Sequence, residues 1–179
     1  MMKYLVLHFH REIDMGYWTE DYKKKLIEPN QLQDAVKTIR NENKTIVTLN
    51  GSFDLMHAGH LHIIYEASKL ADLLIVALNS DASIKAYKSI DRPIISLSYR
   101  LQLMAALEFV DFVTWFDETD PIRILNIIKP DFHANGAEYG DNCIEAATVQ
   151  ENGGCIKIIQ LVPGLSTSQI IEKIKKNGV

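Results

Sequence analysis

The chain has 179 residues, 47% of them hydrophobic, enough to bury one core and within the usual size of a single domain. Its charged fraction of 23% and net charge of −4 give no electrostatic footprint for a DNA or RNA backbone, although a local pocket on an acidic protein can still take a small anion. Cys143 and Cys155 lack metal-ligand spacing, and the opening apolar run is broken by His8, His10, Arg11 and Glu12. That run is too short for a signal core or a membrane span, so the expectation is a soluble, cytoplasmic protein with no membrane partner.

In chain order, Lys3 to His10 reads as a short strand and Thr19 as the cap of a short helix ending before Pro29. Asn30 is an N-cap candidate, and Leu32, Ala35, Val36 and Ile39 fall at helical spacing up to Asn41–Asn43. Lys44 to Leu49 reads as a buried strand, Leu61 to Leu70 as a helix, and Ala71 to Leu78 as a strand covered on both faces. Helices are expected from about Ala82 to Lys88 and from about Ser96 to Phe109, then a strand at Phe112–Trp115. Asp120–Pro121 opens a helix, with proline at the first helical position, that runs to about Ile128. Pro130 to Ala134 is a strand, Asp141 or Asn142 caps a helix ending at Gly153–Gly154, and Cys155–Ile159 is the last strand. Ser166 to Lys175 is the last helix. Alternation with short links predicts an α/β, Rossmann-like, doubly wound parallel sheet with helices on both faces. Ligands of such sheets bind beyond the carboxyl ends of the strands. That rule selects the turns after Leu49 and Leu78, together with residues 134–140 and 161–168.

Gly51-Ser52-Phe53-Asp54 follows the first clear strand, and Leu55 to His60 leads into a helix. Gly59 permits close approach of a ligand to the backbone, and the helix start beside it offers N–H groups and partial positive charge to a phosphate. His57 and His60, three apart, can aim both imidazoles at the same phosphate. Histidine donates hydrogen bonds in either protonation state and, with an ordinary pKa near ~6.5, gains a proton as negative charge grows. A metal cluster of His57, His60 and His62 would need a cysteine or acidic ligand at fitting spacing, and none is present. His8, His10 and His133 have no motif around them and read as structural; Cys143, Cys155 and Trp115 read as core or near-core.

His-x-Gly-His after Gly-x-Phe-Asp resembles the cytidylyltransferase-like nucleotidyltransferase superfamily. With Asn79-Ser-Asp-Ala82, Arg92-Pro93, Arg100, Phe116 to Pro121 and Gly164 to Ser168, the chain resembles one branch of it, the heptose 1-phosphate adenylyltransferase domain. The resemblance covers roughly residues 30–176. It implies a nucleotidyltransferase domain over 30–179, an N-terminal extension of unassigned structure over 1–29, and commonly a homodimer. The implied reaction moves AMP from ATP, with Mg²⁺, to D-glycero-D-manno-heptose 1-phosphate for surface glycan synthesis, releasing pyrophosphate without a covalent intermediate. Catalysis is assigned to His57, His60 and Lys88, with Lys85 a competitor of Lys88. Nucleotide binding is assigned to Gly51, Ser52, Phe53, His57, Gly59, His60, Asn135, Gly136, Glu138, Ser166, Thr167 and Ser168, and substrate binding to Asp54, Asn79, Asp81, Arg92 and Arg100. No protein metal site is assigned.

Several of these residues have a second reading. Ser166–Ser168 is also an ordinary helix cap, and Arg100 an ordinary helix-surface residue. Asp54 fixes its turn through an Asx-type bond, and Asp81 is a natural N-cap. Two departures matter. Asn135 stands where the resembling domains often carry a lysine, which keeps open a non-catalytic nucleotide-binding module. Leu161 stands where glycerol-phosphate cytidylyltransferases carry an arginine. That weighs against the remaining alternative, CTP with glycerol 3-phosphate or a phosphorylated amino alcohol.

Overall fold

The protein is described by a computed structural model over residues 18–138, 140, 143–160, 162, 164 and 166–178, with the backbone alone at Trp18 and Thr19. The expected strand at 3–10 with His8 and His10, the caps Asp141 and Asn142, and Leu161 lie outside the described residues. A short helix α1 (Trp18–Asp21) and a 3₁₀ turn (Tyr22–Lys25) lead into α2 (Leu32–Asn41). Then come β1 (Ile46–Gly51), α3 (Ala58–Ser68), β2 (Leu73–Asn79), α4 (Asp81–Tyr87) and α5 (Leu97–Ala105). The chain continues with β3 (Phe112–Phe116), α6 (Ile122–Ile128), β4 (Phe132–Gly136), α7 (Ala146–Glu151), β5 (Cys155–Ile159) and α8 (Thr167–Lys176).

All strand pairs are parallel, and the sheet order is β3-β2-β1-β4-β5. Period-two alternation sends β-strand side chains to opposite faces, and two cores result. Val47, Leu49, Leu74, Val76 and Leu78 pack with Ile64 and Ala67 of α3 and Leu101 and Met104 of α5. Ile46, Ile75, Ala77 and Phe116 pack with α2, α6 and α7 through Val36, Ile39, Leu125, Ile128 and Val149. Each fully buried Leu or Ile is worth about 1.5–3 kcal/mol, so neither face is dispensable. The chain reverses direction of winding between β1 and β4, the place where such a sheet opens a crevice.

Tertiary packing moves several expected boundaries. The fold is engaged before residue 30: Leu26 bridges to Val113, the Ile27 N–H donates to Val113 O at 2.8 Å, and Ile27 is buried in the second core. Gln31, not Asn30, caps α2, and Ser80, not Asp81, caps α4 by accepting from Ser83 N–H. At α6 the start is displaced by one residue: Pro121 is the cap and the Asp120 carboxylate accepts from the Ile122 N–H. Glu145 occupies the cap position of α7 without making a cap bond. Cys155 is exposed rather than near-core, because β5 is an edge strand with every second residue facing out.

The boundary that matters most is that of α3. It begins at Ala58, three residues before the period in the sequence becomes apolar, and its N-cap is His57. A histidine is an unusual cap, and the Ala58-Gly59-His60 start has no large apolar residue to reveal the helix to a hydrophobicity reading.

Candidate active site

The turn after β1 carries the motif in a conformation that its sequence does not advertise. Phe53 and Leu55 have φ values of 47° and 54°, the left-handed region that side chains other than glycine avoid. At Gly51 a Cβ would lie 3.2 Å from the Phe53 ring folded over it, a tight contact that glycine avoids. Such a turn persists only when its surroundings over-determine it. Asp54 is buried, and its carboxylate accepts from the Ile94 and Ile95 N–H groups and from Arg92 Nε at 2.7–2.9 Å. Burial pushes the Asp54 carboxyl up, but the two N–H groups and Arg92 outweigh it and hold its pKa below the usual range. Asp54 therefore ties down the 92–95 segment and makes no Asx turn of its own.

Arg100 is 1% exposed, so it is not a surface residue of α5. Its guanidinium donates to Ile95 O, to Ser52 O at 2.7 Å and to the Asp81 carboxylate at 2.8 Å. Asp81 also accepts from the Leu97 N–H. Arg100 and Asp81 hold the back of the motif turn and do not reach the cleft. Arg92 pairs with Asp54 and stands with the exposed Ser168 beside a separate surface hollow along α8. Asp54, Asp81, Arg92 and Arg100, expected to bind substrate, here bond one another and the backbone around the motif turn and line none of the three hollows over the strand ends, and Ser168 lies apart from the other residues expected to bind nucleotide.

Over the carboxyl ends of β1, β2 and β4 three hollows share walls and form one cleft. The largest, about 230 Å³, is lined by Gly51, Ser52, Asn79, Lys88 and Asn135, joined by Asn50, Asp120 and Glu145. The middle one, about 150 Å³, runs past Phe53, His60, Gly136, Glu138 and Thr167. The third, also about 150 Å³, is closed by His57, Gly59 and Ser166. Glu138 folds its carboxylate over Gly136, where a Cβ would overlap it.

His57 and His60 stack, with ring centroids 3.9 Å apart and 21° between planes, and Phe53 meets His60 edge-on at 5.4 Å. His57 Nδ1 accepts from the Gly59 and His60 N–H groups at 3.1 and 3.4 Å. Two of the N–H groups expected to greet a phosphate are thereby taken by the motif itself. The consequence is chemical: with Nδ1 an acceptor, the neutral His57 ring carries its proton on Nε2, free to donate outward. Burial lowers the His57 pKa. His60 is pushed down to about 4 by burial, then by His57 and Lys88. Its Nδ1 is buried without a partner among the described residues, so its tautomer is left for a ligand to decide.

Lys88 reaches over from the end of α4 and donates to Ser52 Oγ at 2.9 Å. Its pKa is lowered by burial and by Arg92, as expected of a cation held among other cations. Lys85 is exposed and lines none of these hollows. Ser166 caps α8 by accepting from Gln169 N–H, and Thr167 Oγ1 donates to Asp54 O at 3.0 Å, which docks the α8 N-terminus onto the motif turn.

Asn50, Asp120 and Glu145 went unassigned in the sequence. Asn50 had a legible signal, as the polar residue following a buried strand into the glycine turn; Glu145 had none. No group of three His, Cys, Asp or Glu side chains converges among the described residues.

Two helix starts and a lysine converge at the switch point of a parallel sheet, and the family to which the chain belongs gives the class: the protein is a nucleotidyltransferase. It belongs to the Cytidylyltransferase-like family, matched over residues 48–176. It is 38% identical over 161 residues to the bifunctional protein HldE of Syntrophotalea carbinolica, covering 89% of this chain and 33% of that one. To the HldE of Campylobacter jejuni it is 41% identical over 155 residues, covering 87% and 32%. The chain thus spans about a third of the length of these curated relatives. Among solved structures, a lipopolysaccharide core biosynthesis protein from Thermoplasma volcanium matches with TM-score 0.55 and 30% identity, over 66% of this chain and 97% of that one. Pantoate-beta-alanine ligase from Francisella tularensis shares the fold at TM-score 0.56 and 16% identity, over 86% and 78%. No helix of the described residues is long and apolar enough to cross a membrane.

Proposed function

We propose that the chain transfers AMP from ATP to a sugar 1-phosphate, D-glycero-D-manno-heptose 1-phosphate, and releases pyrophosphate. The observation that carries this reading is the stacked His57–His60 pair, whose outward His57 Nε2–H shares one cleft with Lys88 and the α8 start. Relatives named HldE and a lipopolysaccharide core biosynthesis protein support the acceptor class.

In the proposed reaction an oxygen of the acceptor phosphate attacks the α-phosphorus of ATP in line, and the bond to the β-phosphate bridging oxygen breaks. The attacking group is already anionic, so no general base is needed. The protein's tasks are to align two anions that repel and to stabilise charge growing on the α-phosphate and the leaving group. His57 and His60 enter neutral, because burial disfavours their charged forms. They act as fixed hydrogen-bond donors whose proton affinity rises as the phosphate oxygens gain charge. Lys88 screens the two anions from one another. The α8 N-terminus, oriented by Thr167, offers its dipole to the leaving phosphates.

Mg²⁺ belongs to this proposal as the counter-ion of the triphosphate. Such a metal is usually held by the substrate's phosphates and a few protein ligands rather than by an all-protein cage. Chelation with EDTA is expected to stop turnover and added Mg²⁺ to restore it. Pyrophosphate release across a grid of nucleotides and phosphate acceptors tests the whole reading. ATP with a heptose 1-phosphate is the expected productive pair, and CTP as the sole productive nucleotide overturns it.

A further inference from the structure

The largest hollow of the cleft has a composition of its own. Lys88 is its one lysine or arginine among the described residues. Opposed to that single cation are two carboxylates, Asp120 and Glu145, and three carboxamides, Asn50, Asn79 and Asn135. Asp120 is engaged by the Ile122 N–H. Glu145 is not so placed. It is 5% exposed, stands at the cap position of α7 yet accepts no cap bond, and takes part in no ion pair among the described residues. Among the described residues it accepts a long hydrogen bond, 3.4 Å from Asn135 Nδ2, and a weak one from the Cys143 thiol. His133, two residues before Asn135 on β4, feels the Glu145 charge. That imidazole is held neutral by burial, with its pKa at about 4, and bonds Thr48 through Nδ1.

A buried carboxylate so thinly partnered requires hydrogen-bond donors from elsewhere. Asn50 Oδ1, also buried without a partner, requires a donor too. Both requirements lie in one cavity with a lysine. We infer that Glu145, with Asn135 and Asn50, reads the hydroxyl groups of the acceptor, making the site selective for a phosphate monoester that carries a neutral polyhydroxylated tail. This rests on the reading of the cleft given above and names its substrate class. Hydroxyls donating to a carboxylate form charge-assisted bonds, and neighbouring hydroxyls match carboxamides that both donate and accept. A second anionic group on the tail would meet the Glu145 charge. An ammonium tail would satisfy Glu145 but leave the carboxamides unmatched.

The test compares wild type with Glu145→Ala and with the nearly isosteric Glu145→Gln, each checked by thermal melting. The acceptors are a heptose 1-phosphate, a hexose 1-phosphate, ethanolamine phosphate and methyl phosphate, the last having the phosphate and no tail. The ratio of kcat/KM for sugar phosphate over methyl phosphate is expected to fall by about 10–100-fold in Glu145→Ala and by less in Glu145→Gln. An unchanged ratio overturns the inference, and so does an equal loss on both acceptors, the sign of a merely structural role. A wild-type preference for ethanolamine phosphate that vanishes in Glu145→Gln also overturns it, in favour of a cation reader. If wild type releases no pyrophosphate with any pair, it is the adenylyl-transfer reading that fails. Calorimetric binding of the hexose 1-phosphate then decides separately: affinity weakened about tenfold or more in Glu145→Ala upholds the inference, and undiminished affinity overturns it.

Discussion

His57 has two tasks that one substitution does not separate. It caps α3 through Nδ1 and presents Nε2–H to the cleft. His57→Ala is expected to lose both, with about 0.5–2 kcal/mol of stability going with the cap and turnover going with the donor. His57→Asn keeps an N-cap oxygen and should melt near wild type while remaining as inactive as the alanine variant. Equal melting temperatures for all three proteins would refute the capping role. His60 makes no cap bond, so His60→Ala is expected to cost about 2.7–4 kcal/mol of transition-state stabilisation, 10²–10³ in kcat, with little effect on melting. Near-normal turnover in a folded His60→Ala variant would remove it from the proposed mechanism.

At the level of elements, the motif turn is a bracket closed from two sides. Arg100 from α5 and Thr167 from α8 bond the carbonyls of Ser52 and Asp54, and Asp54 anchors the 92–95 segment. Two residues of positive φ stand between those anchors. Arg100→Met removes the buried partner of Asp81 and of two carbonyls. It is expected to destabilise by about 3–5 kcal/mol, visible as a lower denaturant midpoint. Because Arg100 lies behind the turn, the surviving folded fraction should show a lower kcat with ATP affinity changed less. A variant with wild-type stability would mean the bracket is not needed.

For the whole molecule, stability should depend on pH through two histidines folded in their neutral form. His60 and His133 both have pKa values near 4, against about 6.5 in an unfolded chain. The unfolded state therefore binds more protons between those values, so stability is full above about pH 6.5 and falls as pH drops towards 4. Asp54 and Asp131, whose pKa values are lowered, add a further loss only as pH falls through their folded values. Melting temperature measured from pH 7 to 4 should show this slope, and His133→Gln, which retains an acceptor for Thr48, should flatten it. An unchanged slope in that variant would mean His133 is not buried neutral.

Much of this was legible because local physics wrote it. The apolar run Leu73–Leu78 is typical of a strand covered on both faces, the alternation of elements points to a parallel sheet, and the turns after β1 and β4 lie at the strand ends where ligands of such sheets bind. The motif from Gly51 to His60, Lys88 and Ser166–Thr167 also converge in one cleft as expected. What the sequence by itself determined is thus the fold class, the family and the motif residues that meet at the strand ends. Tertiary structure alone decided which charged residues face the ligand and which face each other. Arg92, Arg100, Asp54 and Asp81 carry the same side chains whether they clamp a phosphate or lock a turn, and only their neighbours across 16 to 41 residues distinguish the two. Glu145 shows the converse. Nothing near it in the chain marks it, and its burial in the wall of the cleft beside Asn135 arises only when β4 and α7 are brought together.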